Sequence, residues 1–168
     1  MLYQINKTIG ISMTCYRRAD YLENVLDSLF ASLEYSGLDT SKTVLYISID
    51  YYDDTIPSMI KDIDWIKTKF LINSPSIGCN ANTRQAINMS LEENDATIHL
   101  EDDTVLSKDA ISFYTTYLEK YHDDSKIISI AGYNKTDSLE NADLSKVLEQ
   151  KHFTCWGCAF GDTNLIYF

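Results

Sequence analysis

Six glycines and two prolines in 168 residues leave this chain without the turn-rich, low-complexity stretches of a disordered or fibrous protein. No segment recurs at a fixed period, which excludes a solenoid. No window reaches the ~18 uninterrupted apolar residues of a membrane span. The opening residues MLYQINKTIG hold no basic region followed by a long apolar stretch, so no secretory leader is expected and the expected location is cytoplasmic. Without such a leader the glycosylation-like triplets at Asn6, Asn88 and Asn134 carry no weight. Basic charge is scarce as well: 14 Lys and Arg stand against 25 Asp and Glu, for a net charge of −11, and Arg17-Arg18 is the densest basic spot. Such a balance repels phosphate backbones and anionic headgroups, which argues against a nucleic-acid or membrane-surface partner. What remains is 45% apolar and 23% charged, the make-up of a soluble globular protein, and the length suits one domain spanning residues 1–168.

Cysteine is sparse too. Cys15 and Cys79 stand alone, while Cys155 and Cys158 form Cys-Trp-Gly-Cys. A redox pair normally opens a helix, where the macrodipole lowers the first thiol's pKa. This pair instead follows His152-Phe153-Thr154 in an aromatic run, and a zinc site would need two more ligands from a distance. Ordinary buried thiols are the expectation.

The chain alternates two periodicities. Thr8 to Thr14 is a short β-rich apolar run, and Tyr21, Leu22, Val25, Leu26, Leu29, Phe30 and Leu33 follow at helical spacing. Val44 to Ile49 predicts a second buried strand, stopped by the acidic stretch Asp50 to Asp54. A helix is predicted after Pro57 through Met59, Ile60, Ile63, Ile66 and Lys67, then a short strand at Phe70 to Ile72. Asn73 to Cys79 reads as a loop and Asn82 to Leu91 as a helix. Ala96 to Leu100 predicts a fourth strand, Ser107 an N-cap for a helix through Tyr121, and Lys126 to Ala131 a fifth strand. From Gly132 to Glu149 a polar surface loop is expected, and Phe153 to Phe160 is apolar again. Strands alternating with helices at this spacing imply an α/β fold with a mostly parallel sheet covered on both faces. Sheets of this kind bind ligands beyond the carboxyl ends of their strands. There the polar clusters fall: Tyr16-Arg17, Asp50, and Glu101 to Asp103.

Glu101-Asp102-Asp103 at the end of a buried strand is costly unless a cation neutralises it, because adjacent carboxylates repel. Oxygen-only ligands select a hard divalent ion, Mn2+ or Mg2+, held by one or two carboxylates with water and substrate phosphates completing its shell. The implied ligand is a diphosphate. The competing reading of the triplet alone is a solvated acidic turn.

Four ordered segments carry a family resemblance over about residues 8 to 132. They are ISMTCYRRADYLENVLDSL from Ile11, ISID ending at Asp50, GCNANTRQAI from Gly78, and LEDDTVLSKD from Leu100. Together they resemble GT-A fold nucleotide-sugar glycosyltransferases, nearest the N-acetylglucosaminyltransferase I group and more loosely the family-2-type enzymes. Phe153 to Gly157 resembles the aromatic-Trp-Gly segment that borders the acceptor site in such enzymes. The resemblance implies a Rossmann-like three-layer sandwich. It further implies transfer of a sugar from a UDP-sugar to a hydroxyl of a glycan or glycoconjugate, with divalent-metal assistance and inversion. Carried over, Asp50 accepts the uracil N–H and Arg17 packs near base and phosphates. Glu101 and Asp102 hold ribose hydroxyls or metal-bound water, and Asp103 binds the metal. Asn82 contacts the nucleotide, and Arg84 lies against Asp102 or the diphosphate. Basic side chains near the triad are few, so the metal is expected to neutralise it.

An inverting enzyme needs a general base at the acceptor hydroxyl. Asp162 is the sole carboxylate after the Trp-Gly segment and is the expected base. The chain stops a few residues later, so part of the acceptor-binding half is expected to be missing. Two other classes compete: a nucleotide-sugar-binding module without catalysis, and an acidic interaction domain whose carboxylates only solubilise it. A nucleotidyltransferase would want a Gly-rich basic loop near the N-terminus, and none is present.

Overall fold

The computed structural model describes residues 8–51, 53–121, 124–133, 147, 149–151 and 153–161. Ile9–Cys15 forms strand β1 and Ala19–Ser36 helix α1, followed by β2 (Val44–Ile49), α2 (Thr55–Lys61) and β3 (Lys67–Ile72). Then come α3 (Cys79–Leu91), β4 (Ala96–Glu101), α4 (Ala110–Tyr121), and two short strands, β5 (Ile130–Ala131) and β6 (Cys158–Gly161). Among the described residues the sheet has six strands in the order β3-β2-β1-β4-β6-β5. β3, β2, β1 and β4 run parallel, while β6 is antiparallel to both β4 and β5. Because β2 and β4 flank β1, the strand order reverses there, and the crevice beyond the carboxyl end of β1 is where a doubly wound sheet takes a ligand.

The two faces of the sheet differ in chemistry. One presents Ile11, Met13, Leu45, Ile47, Ile49, Ile98 and Leu100 to Leu22, Val25 and Leu29 of α1, Ile56 and Ile60 of α2, and Ile111 and Tyr114 of α4. Each large side chain buried there contributes about 1.5–3 kcal/mol against the entropy of ordering it. The other face presents the alternate residues Ser12, Tyr46, Ser48, Thr97 and His99, all buried, to α3. Hydrogen bonds replace hydrophobic packing across this layer. Ser48 Oγ donates to Asn82 Oδ1 at 2.6 Å, Asn73 Nδ2 to Gln85 Oε1 at 2.7 Å, and Asn82 Nδ2 to the Ser48 carbonyl at 3.2 Å. Ser12 Oγ lies 3.0 Å from Nδ1 of His99, whose pKa burial lowers to about 4, leaving a neutral imidazole. A smaller apolar cluster of Ile87, Cys158 and Phe160 closes the far end of this face.

Several expectations are corrected. The helix after Pro57 ends at Lys61 rather than reaching Lys67, and Lys67 opens β3. Pro57 sits in the first turn, where helical N–H groups have no partner in any case. Asp53 Oδ1 accepts the amides of Thr55 and Ile56 at the start of that helix. Ser107 does not cap α4: its hydroxyl donates to the Asp109 carboxylate at 2.7 Å, and the helix starts at Ala110. Only Ile130 and Ala131 of the expected fifth strand pair, because the amides of Lys126 and Ile127 turn back and donate to the carboxylate and carbonyl of Asp124. Cys158 is buried on β6, but Cys155 is exposed on the segment leading into it, so only one of the two thiols is an interior residue. Among the described residues no helix is long and apolar enough to cross a membrane.

The short strands are held against α4 by the Tyr114 hydroxyl. It packs on two glycines, Gly132 and Gly157, whose backbones bond to each other at 2.9 Å from Gly132 N to Gly157 O. A Cβ at Gly132 would stand 2.1 Å from that hydroxyl. Gly132→Ala is therefore expected to lower stability by about 1–3 kcal/mol, the usual penalty for overfilling a packed site. Tyr114→Phe in the same chain should restore part of the loss, and thermal unfolding of the single and double variants measures both.

Candidate functional site

The parallel strands end side by side, and the backbone there is stitched across them. Asp50 N donates to Cys15 O at 3.0 Å and Asn73 N to Ile49 O at 2.8 Å. Between β1 and α1 the chain has three residues, Tyr16-Arg17-Arg18, to reverse direction. It does so with Arg17 at φ 59°, a left-handed conformation unusual for a side chain larger than Asn. The two adjacent arginines diverge. The Arg17 guanidinium lies 3.8 Å from the ring centroid of Tyr51 and 5.1 Å from that of Tyr16, and the two rings meet edge to face. Arg18 goes to the other side of β1, to the carboxylates at the end of β4.

Those carboxylates are not equivalent. Asp102 is 1% exposed; it accepts the Tyr16 amide at 2.7 Å and the Arg18 guanidinium at 2.5 Å. Asp103 is 35% exposed and takes the other arm of Arg18 on Oδ2, also at 2.5 Å. Glu101 closes β4 half-buried. Burial raises the Asp102 carboxyl above its ordinary value even though the Tyr16 amide and Arg18 pull it down. Glu101 is raised by burial first and then by the negative charge of Asp103 and Asp102. Burial opposes the charge on Arg18, but the two carboxylates outweigh it and raise its pKa. The triad holds three carboxylates against one guanidinium, so it retains an excess of negative charge.

The expectation is of few basic side chains near the triad, with Arg84 against Asp102 or the diphosphate. Arg84 is exposed on the outer side of α3, and Arg18 is the arginine on Asp102. Nothing in the local pattern separates Arg17 from Arg18; the signal was the doublet itself, placed at the end of the central strand. Asn82 is 3% exposed and its amide is engaged with Ser48 and Asn73 beneath α3. Asp162 lies outside the described residues.

Asp50 lies at the end of β2, 3% exposed. Its carboxylate accepts Ser76 Oγ at 2.7 Å, Ile77 N at 2.7 Å and Gly78 N at 2.9 Å. Gly78, at φ 86°, supplies the turn that aims these amides inward and starts α3. On the opposite side of the triad a cavity of about 520 Å3 is lined by Asp103, Thr104, Tyr114, Tyr133, Trp156 and Gly157, among others. Trp156 and Tyr133 meet edge to face at 5.0 Å on its wall. Along the crevice the order is thus aromatic pair and Asp50, then triad, then Trp-lined cavity.

Whether a divalent ion fits can be judged from the donors. Among the described residues no group of three His, Cys, Asp or Glu is arranged to enclose a metal. The hydrogen bonds among those residues use only Oδ2 of Asp103, and Asp103 lines the cavity. One accessible carboxylate in a site of excess negative charge fits a hard ion that draws most of its shell from water and phosphate oxygens.

No family model and no curated protein matches the chain. Solved structures do. Mannosyltransferase PcManGT from Pyrobaculum calidifontis, in complex with GDP-Man and Mn2+, superimposes with a TM-score of 0.69 at 13% identity, over 92% of this chain and 44% of that one. S. aureus TarS 1-349 in complex with UDP gives 0.56 at 14% identity, over 68% of this chain and 33% of that one. The structure of 4-diphosphocytidyl-2C-methyl-D-erythritol synthase gives 0.51 at 10% identity, over 97% of this chain and 78% of that one. The chain therefore has the GT-A-type, Rossmann-like fold of nucleotide-sugar transferases. It spans less than half the length of the first two.

Asp50 also sets an acid limit on the 76–78 turn. Burial pushes its carboxyl up, but the three donors more than offset this, so it titrates below its ordinary 3.8. Its contribution to stability is complete above that ordinary value and is lost as pH falls through the lowered one. Asp50→Asn, which puts an amide N–H against a donor, is expected to cost about 1–3 kcal/mol at pH 7. The gap between the two proteins should narrow below about pH 4 as the native carboxylate is protonated. Urea unfolding of both as a function of pH measures it.

Proposed function

We propose that this chain carries the donor site of a metal-dependent glycosyltransferase that moves a sugar from a UDP-sugar to a hydroxyl of a glycan or glycoconjugate, with inversion. The observation that carries the reading is the row beyond β1: aromatic pair and Asp50, acidic triad, Trp-lined cavity. That row has the sequence of chemistries of a nucleotide-sugar, namely base, diphosphate and sugar. The neighbour solved with GDP-Man and Mn2+ and the one solved with UDP share the fold.

In this reading the base lies near Tyr16, Arg17 and Tyr51, whose rings and guanidinium offer a flat, polarisable surface. Asp50 accepts three of the roughly four hydrogen bonds a carboxylate can take, and the fourth is assigned to the base N–H. Glu101 and Asp102 stand where ribose hydroxyls or metal-bound water would be held, and Asp103 is the carboxylate that would hold Mn2+ or Mg2+. A bound divalent ion supplies Lewis-acid stabilisation of the charge building on the leaving diphosphate. Asn82 acts from below, through Ser48, by fixing the start of α3. Arg84, exposed on α3, is assigned a supporting electrostatic role toward the diphosphate. The base that deprotonates the acceptor hydroxyl is assigned to Asp162. A cytoplasmic setting goes with this reading.

Two features favour it over its rivals. A purely solubilising acidic surface does not bury one carboxylate to 1% exposure and align an arginine on it. A nucleotidyltransferase of related sheet would cradle a triphosphate, and the β1–α1 turn here is Tyr16-Arg17-Arg18, without glycine.

Calorimetric titration with UDP, with and without Mn2+, is the test. Binding should strengthen at least about tenfold, or 1.4 kcal/mol, when Mn2+ is added. Asp103→Ala should abolish that increment while leaving the fold intact. UDP binding that is absent under both conditions overturns the donor-site reading.

A further inference from the structure

A guanidinium that bridges two carboxylates is doing the electrostatic work a divalent ion does elsewhere, and its two bonds are unlike each other. The bond to Asp102 joins a side chain that is 1% exposed and also tied to the Tyr16 amide. The bond to Asp103 joins two groups with solvent access, 44% exposed for Arg18 and 35% for Asp103. Breaking the first strands a charge in the interior, which proteins rarely tolerate. Breaking the second exposes two groups to water at little loss.

We propose that Arg18 is an exchangeable counter-cation: it holds Asp103 in the donor-free protein and yields it to a divalent ion while keeping its grip on Asp102. The proposal rests on the reading of Asp103 as the metal-binding carboxylate and adds what happens there before the donor arrives. Arg18 offsets part of the triad's charge when nothing else does, which lessens the repulsion at the end of β4. Released from Asp103, the freed arm of the guanidinium remains at the triad, with its planar N–H groups available to a phosphate oxygen. The positive φ of Arg17 is what delivers Arg18 to this position, one residue after a side chain that serves the opposite side of β1. The Arg18–Asp103 contact thus sets the metal affinity of the donor-free protein lower than the triad's charge alone would give.

Binding of Mn2+ alone to the donor-free protein, read from the loss of the free-ion electron paramagnetic resonance signal, tests this without any turnover. Arg18→Gln is expected to tighten Mn2+ binding about threefold, the scale of a half-exposed ion pair. Arg18→Lys, which keeps the charge but engages one carboxylate at a time, should fall between Gln and the native protein. Lys108→Gln removes the same charge from an exposed residue that lies over the Tyr35 ring rather than on the triad, and should leave the affinity unchanged. Near-ultraviolet circular dichroism confirms that each variant is folded; should the Gln variant unfold because Asp102 is left unpaired, the Lys variant carries the test, with tightening still required. Affinity that fails to rise in either Arg18 variant overturns the proposal, as does an equal rise in Lys108→Gln, which would mean only the general field matters. If Asp103→Ala leaves native Mn2+ binding unaltered, the assignment of Asp103 itself fails and the proposal falls with it.

Discussion

A carboxylate buried at the end of a strand must be compensated, and Asp102 is that carboxylate. It is 1% exposed, and burial still raises its pKa against the pull of its partners. Stripping one partner from a buried ion pair typically costs about 3–5 kcal/mol. The compensation comes from one short segment: the Tyr16 amide and the Arg18 guanidinium. To bring both to Asp102 the turn between β1 and α1 has to be tight, and Arg17 absorbs the bend in a left-handed conformation. Arg17 then has one side left to occupy, over Tyr51 and beside Tyr16. The crevice at the strand reversal is shaped by that single buried charge.

The asymmetry of the sheet supports the same site from below. On the apolar face, α1, α2 and α4 pack through aliphatic side chains that tolerate small slides. On the other face α3 is registered by directional bonds among Ser48, Asn73, Asn82 and Gln85. A satisfied buried polar network specifies one position for the helix rather than a range of them. The first turn of α3 and the 76–78 segment that precedes it are consequently held where Asp50 collects their donors. The strand ends, the turn before α3 and the turn before α1 form one rigid rim.

Rigidity on this rim matters because charge stabilisation works best when the groups are already oriented. The elements that line the cavity beyond the triad are less regular: a two-residue strand, a four-residue strand and the Trp156-Gly157 segment, pinned by the Tyr114 hydroxyl. The triad side of the crevice is built on long parallel strands, and the far wall on short antiparallel ones. Short, irregular elements of this kind tolerate change more readily than the long parallel strands beside them.

Much of this was legible along the chain. Runs such as Val44 to Ile49 and Ala96 to Leu100 define buried strands because residues hidden on both faces of a parallel sheet can hardly be charged. The period of Leu22, Val25, Leu26, Leu29 and Leu33 defines α1 because only one stripe of that helix meets the core. Glu101 to Asp103 declared itself, since three adjacent carboxylates at a buried strand end need a partner. What that partner is, sequence could not say: Arg18 and Asp103 are 85 residues apart, and adjacent arginines look alike until a backbone angle sends them to opposite sides of β1. Local pattern also misread Ile66 and Lys67 as helix, since apolar spacing continues across a boundary that pairing with β2 decides. Periodicity and composition are properties of neighbours in the chain, so they determined the elements and the acidic motif. Which arginine pairs with it, which tyrosines flank it and which tryptophan stands across from it depend on neighbours in space, and only the packed sheet brings those together.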